Sequence, residues 1–140
     1  MTIFELAPDD PRLSDVWPVL AELRPHVEPG QMARIYAESH PLGYRVTALY
    51  EDGRPVAVAG WRIGVNMHIG RNLYVEDLVT AEAVRSSGHG ARLLEHLRGV
   101  ARKAGCAALH LDSGVQRHGA HRFYLREGMH ISSHHFYEAL

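Results

Sequence analysis

A short glycine-containing stretch, residues 85–91, lies between a strand-like run and the most strongly periodic helix of the sequence. The first turn of a helix has backbone N–H groups without intrahelical partners, and the helix dipole adds partial positive charge there. Gly88 and Gly90 leave those N–H groups accessible, because glycine has no side chain to cover them. A strand, a glycine-containing turn and a helix start together predict an anion site, most often for phosphate.

Three kinds of loop share this general pattern. A P-loop needs a lysine and a serine or threonine after its last glycine, and Ala91 and Arg92 stand there instead, which excludes it. A dinucleotide-binding loop needs a small residue three positions after Gly90, where the sequence has Leu93, and it does not normally follow a hairpin. The third kind, a structural turn that binds nothing, stays open on these residues alone.

Size and composition favour one globular domain. The chain has 140 residues, 46% of them hydrophobic, so residues 1–140 are expected to form a single domain with a real core. The formal net charge of -1 gives no global field for nucleic acid or an anionic membrane, so neither partner is expected. No apolar run approaches the roughly 20 residues of a membrane span. The single cysteine, Cys106, and the lack of a signal pattern favour the cytoplasm.

Hydrophobic periodicity and turn residues predict an alternating series of strands and helices. Strands are expected at residues 2–7, 44–50, 55–63, 72–80 and 107–111, with closing strands at 129–132 and 134–140. Helices are expected near residues 14–25, and at 29–39, 91–104 and 119–126. A hairpin that leads into a β-α-β unit predicts a mixed α/β domain around one sheet.

Two signatures in the chain resemble those of one known family. The pattern Arg-x-x-Gly-x-Gly-Ala at residues 85–91, after the strand residues 75–79, resembles the pyrophosphate loop of the GCN5-related N-acetyltransferases (GNAT). Residues 120–129 are similar to the second signature of that family, A-x-x-F-Y-x-x-x-G-F, with Met129 in place of the usual aromatic residue. The two signatures are in register, and the resemblance covers nearly the whole chain.

The resemblance implies a fold and a co-substrate. The fold is a single-domain GNAT-like α/β domain, with a mixed sheet of about 6–7 strands flanked by about 4 helices and splayed at its central strands. The co-substrate is acetyl-CoA, and no metal is expected. The residues expected to bind acetyl-CoA are Leu78, Val79, Thr80, Arg85, Ser86, Ser87, Gly88, His89, Gly90, Ala91, Ala120, Phe123 and Tyr124.

The resemblance also implies how acetyl-CoA is held. The N–H groups of residues 86–91 would bind the pyrophosphate, with Arg85 adding charge. A bulge or splay near Val79 would turn the backbone of residues 78–80 toward the pantetheine arm. The Val79 N–H is then expected to donate to the thioester carbonyl, where charge accumulates during attack. Ordinary sheet pairing at residues 78–80 and a solvated Arg85 side chain are the alternatives.

The implied chemistry is acetyl transfer to a primary amine by direct attack in a ternary complex. A protonated amine is not a nucleophile, so the site must remove a proton, directly or through water. Glu76 is expected to do so, with Asp77 in a structural role; a salt-bridged Glu76, or Asp77 as the base, is the alternative. Tyr124 is expected to protonate the leaving thiolate of CoA, unless it is a core tyrosine.

Several alternatives for function stay open. The acceptor is expected to be a small molecule, with polyamine, aminoglycoside, aminophosphonate and amino-acid-like compounds all compatible with the sequence. An enzyme that acetylates a protein N-terminus or lysine, and a non-catalytic acetyl-CoA-binding regulatory domain, are the other classes. A homodimer through the terminal strands is common in the family. The histidines at 118, 121, 134 and 135 complete no recognisable zinc spacing, so solvated roles are expected.

Overall fold

The computed structural model describes all residues, 1–140, and they divide into two compact units, residues 1–110 and residues 111–140. Short 3₁₀ turns at His40–Leu42 and Glu82–Val84 precede the second strand and the third helix. Four helices confirm the expected number. In chain order the elements are β1 (Thr2–Leu6), α1 (Leu13–Leu23), α2 (Pro29–Ser39), β2 (Arg45–Glu51), β3 (Arg54–Asn66), β4 (Gly70–Thr80), α3 (His89–Lys103), β5 (Ala108–Leu111) and α4 (His118–Arg126).

One five-stranded sheet, in the order β1-β2-β3-β4-β5, forms the framework. The strands β1 to β4 are antiparallel neighbours, and β5 follows β4 through the crossover helix α3, which makes the sheet mixed. The Ala107 N–H donates to the Arg71 carbonyl at 2.8 Å, so β5 begins beside the start of β4. Because β5 has only four residues, it lies alongside only about the first half of β4. The second half of β4 therefore extends beyond β5, as the expected splay requires.

A β-bulge interrupts β4 at Glu76. The register pairs Gly60 with Asp77 and then Trp61 with Val75, so Glu76 is an extra residue opposite β3. A bulge or a splay was expected near Val79; the pairing with β3 is regular there, so the bulge lies three residues earlier. Bulges bend the strand and re-aim nearby side chains, so this one changes the directions of the two acidic residues of β4.

The core of the first unit lies between the sheet and the helices α1 and α2. Tyr36 of α2 is buried, and its hydroxyl donates to the Leu6 carbonyl (2.5 Å) and accepts from the Val46 N–H (3.1 Å). This hydroxyl ties α2 to both β1 and β2. The remaining buried side chains of the two helices are Leu13, Val16, Trp17, Val19, Leu20 and Met32.

The closing strands expected at residues 129–132 and 134–140 are absent, so the sheet has five strands rather than six or seven. Residues 130–140 are all exposed, including Ile131, Phe136 and Tyr137. A run with strand-like composition becomes a strand only when its backbone pairs with another strand, and this segment pairs with none. The prediction of these two strands from local pattern was therefore wrong.

Candidate active site

The loop before α3 has the geometry of an anion site. Gly88 is the N-cap of α3 in the left-handed conformation (φ 81°), and no side chain caps the helix. Ser86 also has positive φ, at 67°. No hydrogen bond within the protein uses the backbone N–H groups of residues 86–91. These groups, with the positive end of the helix dipole, fit a pyrophosphate.

The Arg85 side chain is held at the end of β4. Its Nε donates to the Thr80 carbonyl at 3.3 Å, and its Nη2 lies 3.9 Å from the Glu22 carboxylate of α1. The same carboxylate accepts from the Glu82 N–H at 2.8 Å. Glu22 therefore fixes the start of the loop, and half of the Arg85 side chain stays exposed, at 53%.

His89 contributes its backbone rather than its ring to the loop. The ring is buried, and its Nε2 lies 3.2 Å from the Glu51 carboxylate at the end of β2. This contact anchors the first turn of α3 to the β2–β3 hairpin. Only the His89 N–H is therefore available to a ligand of the loop.

The second half of β4 presents alternate N–H groups on its open side. The Ala81 N–H donates to the Val56 carbonyl of β3 at 2.9 Å. Antiparallel neighbours alternate between bonded and non-bonded pairs, so the Val79 N–H also faces β3 in this regular register. The N–H groups of Leu78 and Thr80 face the other way. The hydrogen bond expected from the Val79 N–H to a thioester is therefore incompatible with the register.

Asp77 is enclosed by two partners from other elements. Arg24, just after α1, donates from its Nε to Asp77 Oδ1 at 2.9 Å, and the Tyr44 hydroxyl donates to Oδ2 at 2.5 Å. Burial and this neighbouring carboxylate raise the pKa of Tyr44 far above the ordinary phenol range. Both Asp77 oxygens are thus occupied, which suits the structural role expected for this residue.

Glu76 is salt-bridged, as in the alternative that the sequence left open, but it has one partner and is more exposed than Asp77. Its Oε2 accepts from Arg62 Nε at 2.5 Å, and its side chain is 31% exposed against 13% for Asp77. The Glu76 carbonyl, freed by the bulge, accepts from Arg24 Nη2 at 3.0 Å. The Arg62 guanidinium lies 5.7 Å from the Tyr44 ring. We call these five residues, Arg24, Tyr44, Arg62, Glu76 and Asp77, the bulge cluster.

Gly60 makes room for the bulge cluster. A Cβ at this position would lie 1.7 Å from the Tyr44 hydroxyl and 2.6 Å from Asp77 Oδ2. The glycine therefore lets the phenol reach the carboxylate across the strand. Sequence reasoning missed Arg24, Tyr44 and Arg62. The only local signal in the sequence is a glycine, Gly60, inside a strand pattern, which is typical of close backbone approach but names no partner.

The second unit carries the other signature on α4. Phe123 and Tyr124 are neighbours on this helix, with ring centroids 5.2 Å apart, and both are half-buried. Burial raises the pKa of the Tyr124 phenol, and Arg117 acts in the opposite direction. Tyr124 is therefore protonated at neutral pH and can donate a proton or a hydrogen bond. Ala120 lies one turn before it, on the same face of the helix.

The histidines gather at no metal site. No group of three or more His, Cys, Asp or Glu side chains is placed to hold a metal ion. His121 bonds to the Gly114 carbonyl at 2.7 Å and contacts the His118 ring.

None of the helices combines the length and the apolar character that a membrane-spanning helix requires.

Comparison with known proteins agrees with this geometry. The sequence matches the family described as "Acetyltransferase (GNAT) family" over residues 10–129. The chain belongs to the GNAT family. A GNAT relative from Bacillus subtilis, named as the N-acetyltransferase YhdJ, is 38% identical over 112 residues, which are 79% of each chain. The chain is therefore an acetyl-CoA-dependent N-acetyltransferase.

Two further similarities involve proteins whose names state a substrate. An aminoalkylphosphonate N-acetyltransferase from Salmonella typhimurium is 38% identical over 66 residues, 47% of this GNAT chain and 43% of its own. The solved structure of an aminoglycoside N-acetyltransferase in complex with CoA has a TM-score of 0.86 at 13% identity, covering 99% of this chain and 93% of its own. The second similarity supports the fold.

Proposed function

We propose that residues 1–140 act as one domain that transfers the acetyl group of acetyl-CoA to a primary amine of a small molecule, by direct attack in a ternary complex. The observation that supports this proposal most is the β4 bulge. It leaves the partly exposed Glu76 carboxylate two residues before the outward-facing N–H of Leu78. A proton acceptor and a hydrogen-bond donor for an oxyanion thus lie close together on one strand.

In this proposal acetyl-CoA is held mainly by backbone groups. The N–H groups of residues 86–91 bind the pyrophosphate, and Leu78 and Thr80 bond to the pantetheine arm. The Leu78 N–H donates to the thioester carbonyl, since the Val79 N–H faces β3. Support comes from the free N–H groups of the loop and from the register of β4.

The proposed reaction moves protons at both the nitrogen and the sulfur. Glu76, directly or through water, accepts one proton from the ammonium group, and the neutral nitrogen then attacks the thioester carbonyl carbon. As the C–N bond forms and the C–S bond breaks, Tyr124 gives its proton to the departing sulfur. The nitrogen loses its second proton to water, from which Tyr124 is reprotonated, so the products are a neutral amide and the free thiol of CoA. The Tyr124 phenol is protonated at neutral pH, so its hydroxyl can donate to the departing sulfur.

A small acceptor is favoured over a protein. The name of one relative, the aminoalkylphosphonate N-acetyltransferase that is 38% identical over 66 residues, states a small amine. We further propose a cytoplasmic homodimer, for which the exposed apolar residues of the C-terminal segment give a surface to bury. Sedimentation of the purified chain tests the dimer: a single species of 15.7 kDa contradicts it.

The first test is release of free thiol from acetyl-CoA over a panel of small amines, an N-terminal peptide and a lysine peptide. We expect release with one or more small amines and at most background with the peptides. Glu76→Gln should lower kcat by about a hundredfold, as expected for loss of a general base. The exposed Glu38→Gln is the matched control. Tight acetyl-CoA binding without turnover on any acceptor would support a binding module instead.

A second test concerns Tyr124. Replacement by phenylalanine removes only the hydroxyl, so we expect kcat to fall by about a hundredfold while the KM for acetyl-CoA changes little. Tyr137→Phe, an exposed tyrosine of the same unit, is the control. Equal changes in kcat and KM, or no change in either, would rule out the role of proton donor.

A further inference from the structure

The bulge cluster is electrically neutral although it contains two acidic residues. Arg24 pairs with Asp77 at 2.9 Å, and Arg62 pairs with Glu76 at 2.5 Å. Two guanidinium groups therefore stand beside two carboxylates at the proposed acceptor site. A site for a simple polyamine would instead have an excess of negative charge.

Neutrality changes which acceptor the cluster favours. An ammonium group that approaches Glu76 enters the field of Arg62 as well, so a cation alone gains little and loses part of its hydration. An acceptor that also carries an anionic group brings both signs of charge. Its anion faces an arginine while its amine faces Glu76, and every charge then has a partner.

Arg62 is suited to bind such an anion. Its Nε donates to Glu76 and its Nη1 to the Leu42 carbonyl at 3.2 Å, whereas its Nη2 makes no hydrogen bond within the protein. The side chain is 35% exposed, so this nitrogen is open to a ligand. Planar guanidinium groups match carboxylate and phosphonate oxygens in geometry and charge.

We propose that the acceptor is a compact zwitterion, a primary amine with a nearby carboxylate or phosphonate group, and that Arg62 binds the anionic group. This inference rests on the proposed acetyl transfer with Glu76 at the acceptor amine. Arg62 is a specificity-determining residue, since it distinguishes amines by what they carry beside the reacting nitrogen. Because Arg62 also pairs with Glu76, it holds the anionic group of the acceptor close to the carboxylate that receives the proton.

The test compares kcat/KM for β-alanine, aminomethylphosphonate, n-propylamine and putrescine in the intact chain. We expect the two zwitterions, β-alanine and aminomethylphosphonate, to react faster than n-propylamine, whose tail is uncharged, and faster than the diamine putrescine. Arg62→Gln should lower kcat/KM for the zwitterions by about 10- to 100-fold relative to n-propylamine, the effect of losing one charge-assisted hydrogen bond. Arg54→Gln, an exposed arginine at the hairpin, is the control.

The ratio of kcat/KM values between acceptors separates the loss of anion binding from any effect of the Arg62 substitution on Glu76. Loss of the Arg62–Glu76 pair changes all acceptors alike, whereas loss of anion binding changes only the zwitterions. An unchanged ratio, or faster reaction with n-propylamine or putrescine in the wild type, overturns this inference alone. Thiol release with no amine of any class overturns the proposed function and this inference with it. Comparison of kcat/KM for β-alanine and aminomethylphosphonate shows whether Arg62 prefers a carboxylate or a phosphonate.

Discussion

The loop at residues 85–91 and the bulge cluster are built in opposite ways. The loop offers backbone N–H groups, and its side chains, such as Arg85 and His89, are engaged elsewhere. The bulge cluster offers side chains, and the backbone serves to place them. The comparison indicates that the loop depends on conformation, and the cluster on the chemical identity of each residue.

The two regions also differ in how far apart their parts lie in the sequence. The loop is one continuous stretch of chain, so its geometry follows from local conformation at the start of α3. The cluster joins a residue just after α1, a residue just before β2, and residues of β3 and β4, so its geometry requires these elements to pack together. Substitutions in the cluster should therefore alter both stability and acceptor use, and those in the loop should alter acetyl-CoA binding.

The largest expected effect is that of Gly60→Ala. The added Cβ would collide with the Tyr44 hydroxyl at 1.7 Å and approach Asp77 at 2.6 Å. Displacing the phenol breaks a charge-assisted hydrogen bond as well as the packing, so we expect the free energy of unfolding to fall by about 3 kcal/mol. Chemical denaturation measures this loss, and acceptor turnover should fall with it.

Gly64→Ala is the matched control on the same strand. No atom lies within 4 Å of a Cβ at Gly64, and its φ is not positive. We expect its stability to stay within about 0.5 kcal/mol of the wild type. Equal losses in the two variants would mean that the cluster does not depend on the approach of Tyr44 to Asp77.

The next effect is that of Gly88→Ala in the loop. Gly88 has φ 81°, and a Cβ there meets nothing within 4 Å, so the cost is conformational and not steric. A left-handed alanine costs about 1–2 kcal/mol, and relaxation of the loop misdirects its N–H groups. We expect the KM for acetyl-CoA to rise by about tenfold, which corresponds to about 1.4 kcal/mol. An acceptor KM that rises equally would show that the two regions are not separable.

The contrast between local and distant contacts also explains what the sequence could predict. The loop, the helix α4 signature and all four helices follow from contiguous patterns, and α2 begins and ends at the expected residues. The cluster was not predictable, because no local pattern brings Arg24, Tyr44 and Arg62 beside the acidic pair. The bulge depends on register, which placed it at Glu76 rather than near Val79.

A further effect concerns the pH dependence of stability. The Tyr44 pKa is raised in the folded state, so its contribution is complete below the unfolded phenol value of about 10 and is lost as pH rises above it. Tyr44→Phe should remove up to about 1.4 kcal/mol per pH unit from the alkaline slope of the unfolding free energy. Tyr36 and Tyr124, whose pKa values are also raised, leave part of the slope in place.

Alkaline unfolding curves between pH 8 and roughly pH 11 measure that slope. At neutral pH the variant should lose about 1–2 kcal/mol, because Asp77 keeps Arg24 but lacks the phenol. A slope in Tyr44→Phe equal to that of the wild type would contradict the raised pKa.

The most direct test of the division between loop and cluster is calorimetric titration of acetyl-CoA into Glu76→Gln and Gly88→Ala, paired with turnover. We expect Glu76→Gln to bind acetyl-CoA with wild-type affinity and to lose about a hundredfold in kcat. Gly88→Ala should bind acetyl-CoA about tenfold more weakly and keep the acceptor KM. Equal weakening of acetyl-CoA binding in both variants, or full turnover in Glu76→Gln, would contradict the account.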